Sequence, residues 1–127
     1  MKTILVTGSR EYGDRRAVWG ALNDRLIQHG AFVLKHGACP SGADMHARTW
    51  FILVGSHAGV TEDPYPADWP THGKAAGFIR NKEMIDSGAD EVLAFFQAGA
   101  TNKGTQNTVD LAHKAGILIF SWGSFTG

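Results

Sequence analysis

The chain has 127 residues, 43% hydrophobic and 19% charged, which suits one soluble domain with a real core and excludes a disordered segment. Lysine plus arginine equals aspartate plus glutamate, 12 against 12, so no surplus of cations marks it as a nonspecific nucleic-acid binder. A single cysteine, Cys39, rules out an intrachain disulfide and a thiolate zinc cage, and no apolar run suits a signal peptide or a membrane span. The expectation is a cytoplasmic protein with neither a membrane nor a nucleic-acid partner.

Short strand-like apolar runs alternate with longer helical patterns, which argues for βαβ units in an α/β domain over residues 1–127. The first strand is expected at 3–7. A helix follows at 15–28, with Val18, Leu22 and Leu26 on one face and Gly30 as its terminator. Residues 31–35 form the second strand. The second helix opens at Gly42 or Ala43, with the Ser41 hydroxyl as N-cap, and Met45, Thr49, Trp50, Phe51 and Ile52 give it a broad apolar face. Residues 55–59 break that pattern and 60–62 make a short third strand.

Residues 63–71 carry Pro64, Pro66 and Pro70 among Tyr65 and Trp69. Regular structure is not expected there, and such a segment suits a lid over a crevice. A third helix at 74–87 uses Phe78, Met84 and Ile85. The fourth strand is expected at 91–95, the fourth helix at 105–114 and the fifth strand at 117–121, with Gly116 as the intervening C-cap. The tetrapeptide Ser-Gly-Ala-Asp at 41–44 and 87–90 opens one helix and closes another, and the flanking residues share nothing further.

Three glycine-bearing turns each follow a strand, and a parallel sheet gathers such turns at its carboxyl edge. Gly8-Ser9-Arg10 combines a tight turn, a hydroxyl and a guanidinium fork suited to phosphate or carboxylate; ligand contact is favoured over a plain turn with a solvated arginine. The second turn, from Gly37 through Ser41-Gly42-Ala43-Asp44, leads into a helix whose amino end favours anions. Asp44 has three readings: a ribose-hydroxyl acceptor, a partner for the helix end, or an ion-pair partner of Arg48. Lys103-Gly104-Thr105 is a further phosphate-cradling helix start.

Neither a Walker A loop nor a Gly-x-Gly-x-x-Gly run is present, and no Gly-x-Ser-x-Gly elbow is found. Arg80 shares a helix face with Met84 and can reach a crevice, whereas Lys82 reads as solvent-facing. His36, Cys39, Asp44 and His46 match no standard zinc spacing, so neither a metal nor a cofactor is expected. Trp50 and Trp122 read as packing residues. Trp69, in the proline-rich segment, reads as a ligand contact.

Thr7-Gly8-Ser9-Arg10, His36-Gly37-Ala38 with Gly42-Ala43-Asp44, Ala67-Asp68-Trp69, Gly73 with Ala76-Gly77, Arg80-Asn81 with Met84, and Gly104-Thr105 occur in an order that resembles the YspA-like branch of the SLOG superfamily. That superfamily joins the SMF/DprA proteins to the LOG-type phosphoribohydrolases. The resemblance implies a single Rossmann-like three-layer domain, with a mainly parallel five-stranded sheet ordered 3-2-1-4-5 and helices on both faces. It also implies a nucleotide-type pocket at the carboxyl edge, and dimers. In the LOG enzymes a Pro-Gly-Gly-x-Gly-Thr-x-x-Glu motif supplies a catalytic glutamate. Here Thr101-Asn102-Lys103 replaces its approach and Thr108 stands at the glutamate's place, which argues against that chemistry.

The leading expectation is a binding module for a nucleotide or nucleotide-derived molecule, a sensor or sequestering protein. The helix starts after Ser41 and Gly104 hold phosphate, Arg10 and Arg80 neutralise it, and Asp44 and Asp68 meet sugar hydroxyls. Gly8, Ser9, Gly37, Gly42, Trp69, Asn81 and Thr105 complete the expected site. The alternative is a nucleotide-processing hydrolase that uses Asp44, Glu83 or Asp110 in place of the missing glutamate. A DprA-like contact to single strands is weakest, given zero net charge. A homo-oligomer stays open, with the second helix as its apolar face.

Overall fold

Strand β1 (Thr3–Gly8) lies at the centre of the sheet because its side chains are apolar on both faces, as a doubly covered strand requires. The computed structural model describes residues 1–123. Around β1 the order is β3-β2-β1-β4-β5, with β2 (Val33–His36), β3 (Thr61–Pro64), β4 (Glu91–Phe95) and β5 (Leu118–Trp122), and every pairing is parallel. This is the strand order that the resemblance implies.

The period of two along β1 separates two cores. Ile4 and Val6 face α1 (Arg15–His29) and α2 (Gly42–Leu53), packing with Val18, Leu22, Ala47 and Trp50. Leu5 faces the other way, onto Met84 and Ile85 of α4 (Ala76–Asp86) and Ala112 of α5 (Lys103–Lys114). Trp50 is fully buried, stacked on Phe32 with ring centroids 5.7 Å apart, and its indole N–H donates to Asn23 Oδ1 at 2.8 Å. The packing role expected for Trp50 holds, and Trp122 likewise stacks on Phe95. Among the described residues, no helix is long and apolar enough to cross a membrane.

Two buried charges brace the sheet. Glu91, at the start of β4, accepts from Arg25 Nε at 2.9 Å and lies 2.7 Å from His29 Nε2. Stripping one partner from such a buried pair costs about 3–5 kcal/mol. Lys35 of β2 donates to Ser87 Oγ at 2.6 Å and to the carbonyls of Gly88 at 2.7 Å and Met84 at 3.3 Å, so its ammonium closes the carboxyl end of α4. Burial pushes the Lys35 pKa down, against the pull of Asp63. The sequence marks Lys35 only as the end of a strand.

Residues 63–71 are more regular than expected. β3 runs on to Pro64, tolerated because β3 is an edge strand. A single helical turn, α3 (Trp69–His72), follows; Pro70 sits in its first turn, where no N–H is needed, and Asp68 accepts from Thr71 N at 3.2 Å as its cap. The third expected helix starts later, at Ala76, after a 3-10 turn at Gly73–Ala75.

Candidate functional site

The carboxyl ends of β1, β2 and β4 open on one cleft of about 310 Å³. Gly8, Ser9, Arg10, Gly37, Asp44, Trp69, Arg80, Asn81, Gly104 and Thr105 all line it, so most of the expected site converges. A second cleft of about 410 Å³ adjoins it across Arg10, Gly37, Cys39, Trp69 and Arg80, and Ser41 lines only this second one. Asp68 and Gly42 line neither. Asp68 is committed to capping α3.

The start of α2 differs from expectation. Gly42, at φ +68°, lets the Ser9 carbonyl approach so closely that Ala43 N–H donates to it at 3.3 Å. The Ala43 N–H at the amino end of α2 is therefore taken by the first turn, while Asp44, one residue on, lines the cleft. Ser41 occupies the N-cap position, but its hydroxyl makes no capping bond and lies 3.9 Å from Cys39 Sγ.

The start of α5 opens on the cleft. Its N-cap, Asn102, is 3% exposed and turns its amide backward, accepting from Gln97 N at 3.0 Å and donating to the carbonyls of Gln97 and Ala100. No side chain caps the helix, and its bonding begins with Gln106 N to Asn102 O at 2.8 Å. Among the described residues the N–H groups of Lys103, Gly104 and Thr105 have no acceptor, as at other helix starts that receive anions. Thr105, 3% exposed, and Thr7, 7% exposed, line the cleft with hydroxyls that have no protein partner among the described residues. The Ser9 hydroxyl accepts from Glu11 N at 3.1 Å and keeps its proton free to donate.

Arg80 is held from three sides. Nε donates to Asn81 Oδ1 at 2.8 Å, and Nη1 donates to the Gly37 and Tyr65 carbonyls. Nη2 has no protein partner among the described residues. Asn81 in turn donates to Gly104 O at 3.2 Å and Asn107 Oδ1 at 3.1 Å, so it is a positioning residue tying Arg80 to the start of α5. Burial pushes the Arg80 pKa down; Asp44 opposes that shift and Arg10 adds to it. Arg10 stacks over Trp69, 5.4 Å from its ring centroid, while Lys82 faces solvent and pairs with Asp86 at 2.9 Å, as read from the sequence.

Asp44 is 7% exposed and accepts from Cys39 N at 3.2 Å. Burial pushes its carboxyl up from the ordinary value, against the Cys39 and Gly37 N–H groups and Arg80. The pairing with Arg48, one of its three readings, is not formed; Arg48 lies 4.0 Å from Glu62 instead. His36 Nδ1 accepts from Ala38 N–H at 2.9 Å, so the proton sits on Nε2 and is donated to Glu62 at 2.8 Å. That bond holds Ala38 at φ +56°, a strained conformation for a residue with a Cβ. His46 donates to the Tyr12 carbonyl at 3.0 Å.

Sequence reading missed Lys74 and Phe78, which also line the cleft. Phe78 is 50% exposed and Trp69 45%, a pair of rings beside a cationic wall. Glu83 and Asp110 do not line it. Thr108 is fully buried and donates to Gly104 O at 3.2 Å.

The sheet and its edge cleft define a Rossmann-like α/β protein whose cleft is lined by cations, hydroxyls and aromatic rings. The family model described as YspA, cpYpsA-related SLOG family matches residues 2–72. The chain is also similar to the Gene 61 protein of Mycobacterium phage D29, 40% identical over 126 residues that cover 97% of this chain and 98% of that protein. The chain belongs to the YspA, cpYpsA-related SLOG family. Membership points to nucleotide-related ligand binding or processing.

Proposed function

We propose that the protein binds a nucleotide or nucleotide-derived small molecule in the edge cleft, as a sensor or sequestering protein. The observation that carries this reading is the pairing of two half-exposed rings, Trp69 and Phe78, with the uncapped start of α5 and its unpartnered Thr105 hydroxyl. Aromatic faces stack bases, and a helix start with free N–H groups receives phosphate. Arg10 and Arg80 supply charge at the same wall. Thr108, buried and bonded to Gly104, brings no carboxylate to the cleft, which favours retention of the ligand over cleavage.

One observation favours a hydrolase as the second reading: Asp44 lines the cleft with its carboxyl pushed up by burial, a state suited to donating a proton. A thermal-shift screen of nucleotides, cyclic nucleotides and NAD derivatives, followed by chromatography of each hit, separates the two. A dose-dependent rise in Tm with ligand recovered intact supports binding. Recovery as base plus sugar phosphate supports the hydrolase, and no shift with any compound overturns both.

A further inference from the structure

We infer that the protein self-associates through the outer edge of β5, which pairs antiparallel with β5 of a second copy across a two-fold axis at Phe120. The two edges of the sheet are built in opposite ways. β3 closes one side with Thr61-Glu62-Asp63-Pro64, two carboxylates and a proline that oppose further strand pairing. β5 closes the other with Leu118-Ile119-Phe120-Ser121-Trp122, which carries neither a charge nor a proline. An edge in that state is a template for another strand.

The helices also leave β5 partly bare. Trp122 stacks on Phe95 and Phe120 lies under Arg25, so Leu118, Phe120 and Trp122 share the sheet face that carries α1. On that face Leu118 is 56% exposed and Phe120 38%. Ile119, on the opposite face, packs with Met84 and Ala112.

The backbone direction fixes how a second strand is received. The Trp122 carbonyl accepts from Phe96 N–H at 2.9 Å, so it points inward, toward β4. Alternation then turns the N–H and C=O groups of Ile119 and Ser121 outward, where no strand pairs with them among the described residues. A two-fold axis at Phe120 sets Ile119 of each copy opposite Ser121 of the other, and each such pair exchanges both of its hydrogen bonds. Phe120 meets its own copy as a non-hydrogen-bonded pair, with Cα atoms about 4.5 Å apart.

The edge is complementary to itself, which is why a second copy is the occupant. In this register Leu118 meets Trp122 and Phe120 meets Phe120, apolar against apolar on one face. The cation nearest the axis, Arg25, is already paired with Glu91. The chain's net charge is zero, so the two copies approach without long-range repulsion.

Sedimentation velocity of the whole chain over a concentration series tests this. A five-residue strand pair is a small interface, so a reversible shift from 13.7 kDa to twice that mass is expected as concentration rises. Leu118→Lys places a charge on the exposed row, and Ser121→Pro removes an outward N–H that no internal bond uses. Each is expected to raise the dissociation constant about tenfold or more while leaving the Tm of the dilute protein unchanged. With Cys39→Ser to remove the natural thiol, mild oxidation of Phe120→Cys is expected to lock the dimer covalently, because the paired Cα atoms lie within disulfide reach. Ser121→Cys, exposed and off the axis, is not expected to cross-link. A monomer at every concentration overturns the inference. So does a dimer that both edge substitutions leave intact, which would place the contact on another surface, such as Ile52 and Leu53 of α2.

Discussion

The Arg80 guanidinium occupies the space a side chain on Gly37 would need: a Cβ there would lie 2.8 Å from Arg80 Cζ and 3.0 Å from Asp44 Oδ2. Glycine at this position is a requirement of the cleft, not of the backbone. Arg80 is the far end of a flexible side chain, so Gly37→Ala can be accommodated by moving it. The expected result is a stability change within about 1 kcal/mol and a loss of ligand affinity of about 10- to 100-fold. Chemical denaturation and calorimetric titration of the same variant check the two halves. A large loss of stability with affinity intact would contradict the placement.

Gly42 presents the opposite case. Its φ is +68°, and a Cβ would lie 2.7 Å from Arg10 Cα and close against the Ser9 carbonyl, both fixed backbone. Neither atom can swing away. Gly42→Ala is expected to destabilise the fold by about 2–4 kcal/mol, a fall in Tm on the order of 10 °C. A thermal melt decides it: an unchanged Tm would mean that the two turns do not meet as described.

The contrast between these glycines marks how far the sequence could be read. Strand-following turns, the α/β alternation and a family resemblance were enough to bring Gly8, Ser9, Arg10, Gly37, Arg80 and Thr105 to one edge. What escaped depends on where neighbouring backbones lie. Ser41-Gly42 reads as a phosphate-facing helix start, yet the Ser9 carbonyl takes the Ala43 N–H first. Asn102 reads as an ordinary residue before a helix, and its backward hydrogen bonds are what leave α5 uncapped. Phe78 reads as core by its apolar character, but it lies in the first turn of α4, at the cleft, where the ring meets the opening.

Asp44 gives a pH dependence with a definite sign. Its pKa in the folded protein is raised, chiefly by burial, so between the ordinary carboxylate value and the raised one the folded state holds more protons than the unfolded state. Stability therefore falls as pH rises through that window, and the loss is fully present above it. Asp44→Asn cannot ionise and keeps an oxygen for Cys39 N–H. Urea denaturation from acid to neutral pH should show the variant and the natural protein alike at the acid end, with the variant more stable above the window. Parallel curves would place the titrating group elsewhere. If the hydrolase reading holds, the same variant also loses turnover while retaining ligand.

Thr108 offers the most direct test of whether the missing glutamate matters. A glutamate introduced there would enter a site with no exposure, where the hydroxyl now bonds Gly104 O inside the helix. A buried, unpaired carboxylate costs several kcal/mol, so Thr108→Glu is expected to lower Tm markedly and to create no hydrolysis of any bound nucleotide. The less disruptive Thr108→Ser keeps the bond and is expected to leave ligand affinity within about twofold, since the side chain does not reach the cleft. Incubation of the glutamate variant with nucleoside monophosphates, followed by chromatography, settles the point. Release of free base would show that the helix turns enough to present the carboxylate, and that one substitution separates this binding cleft from a catalytic one.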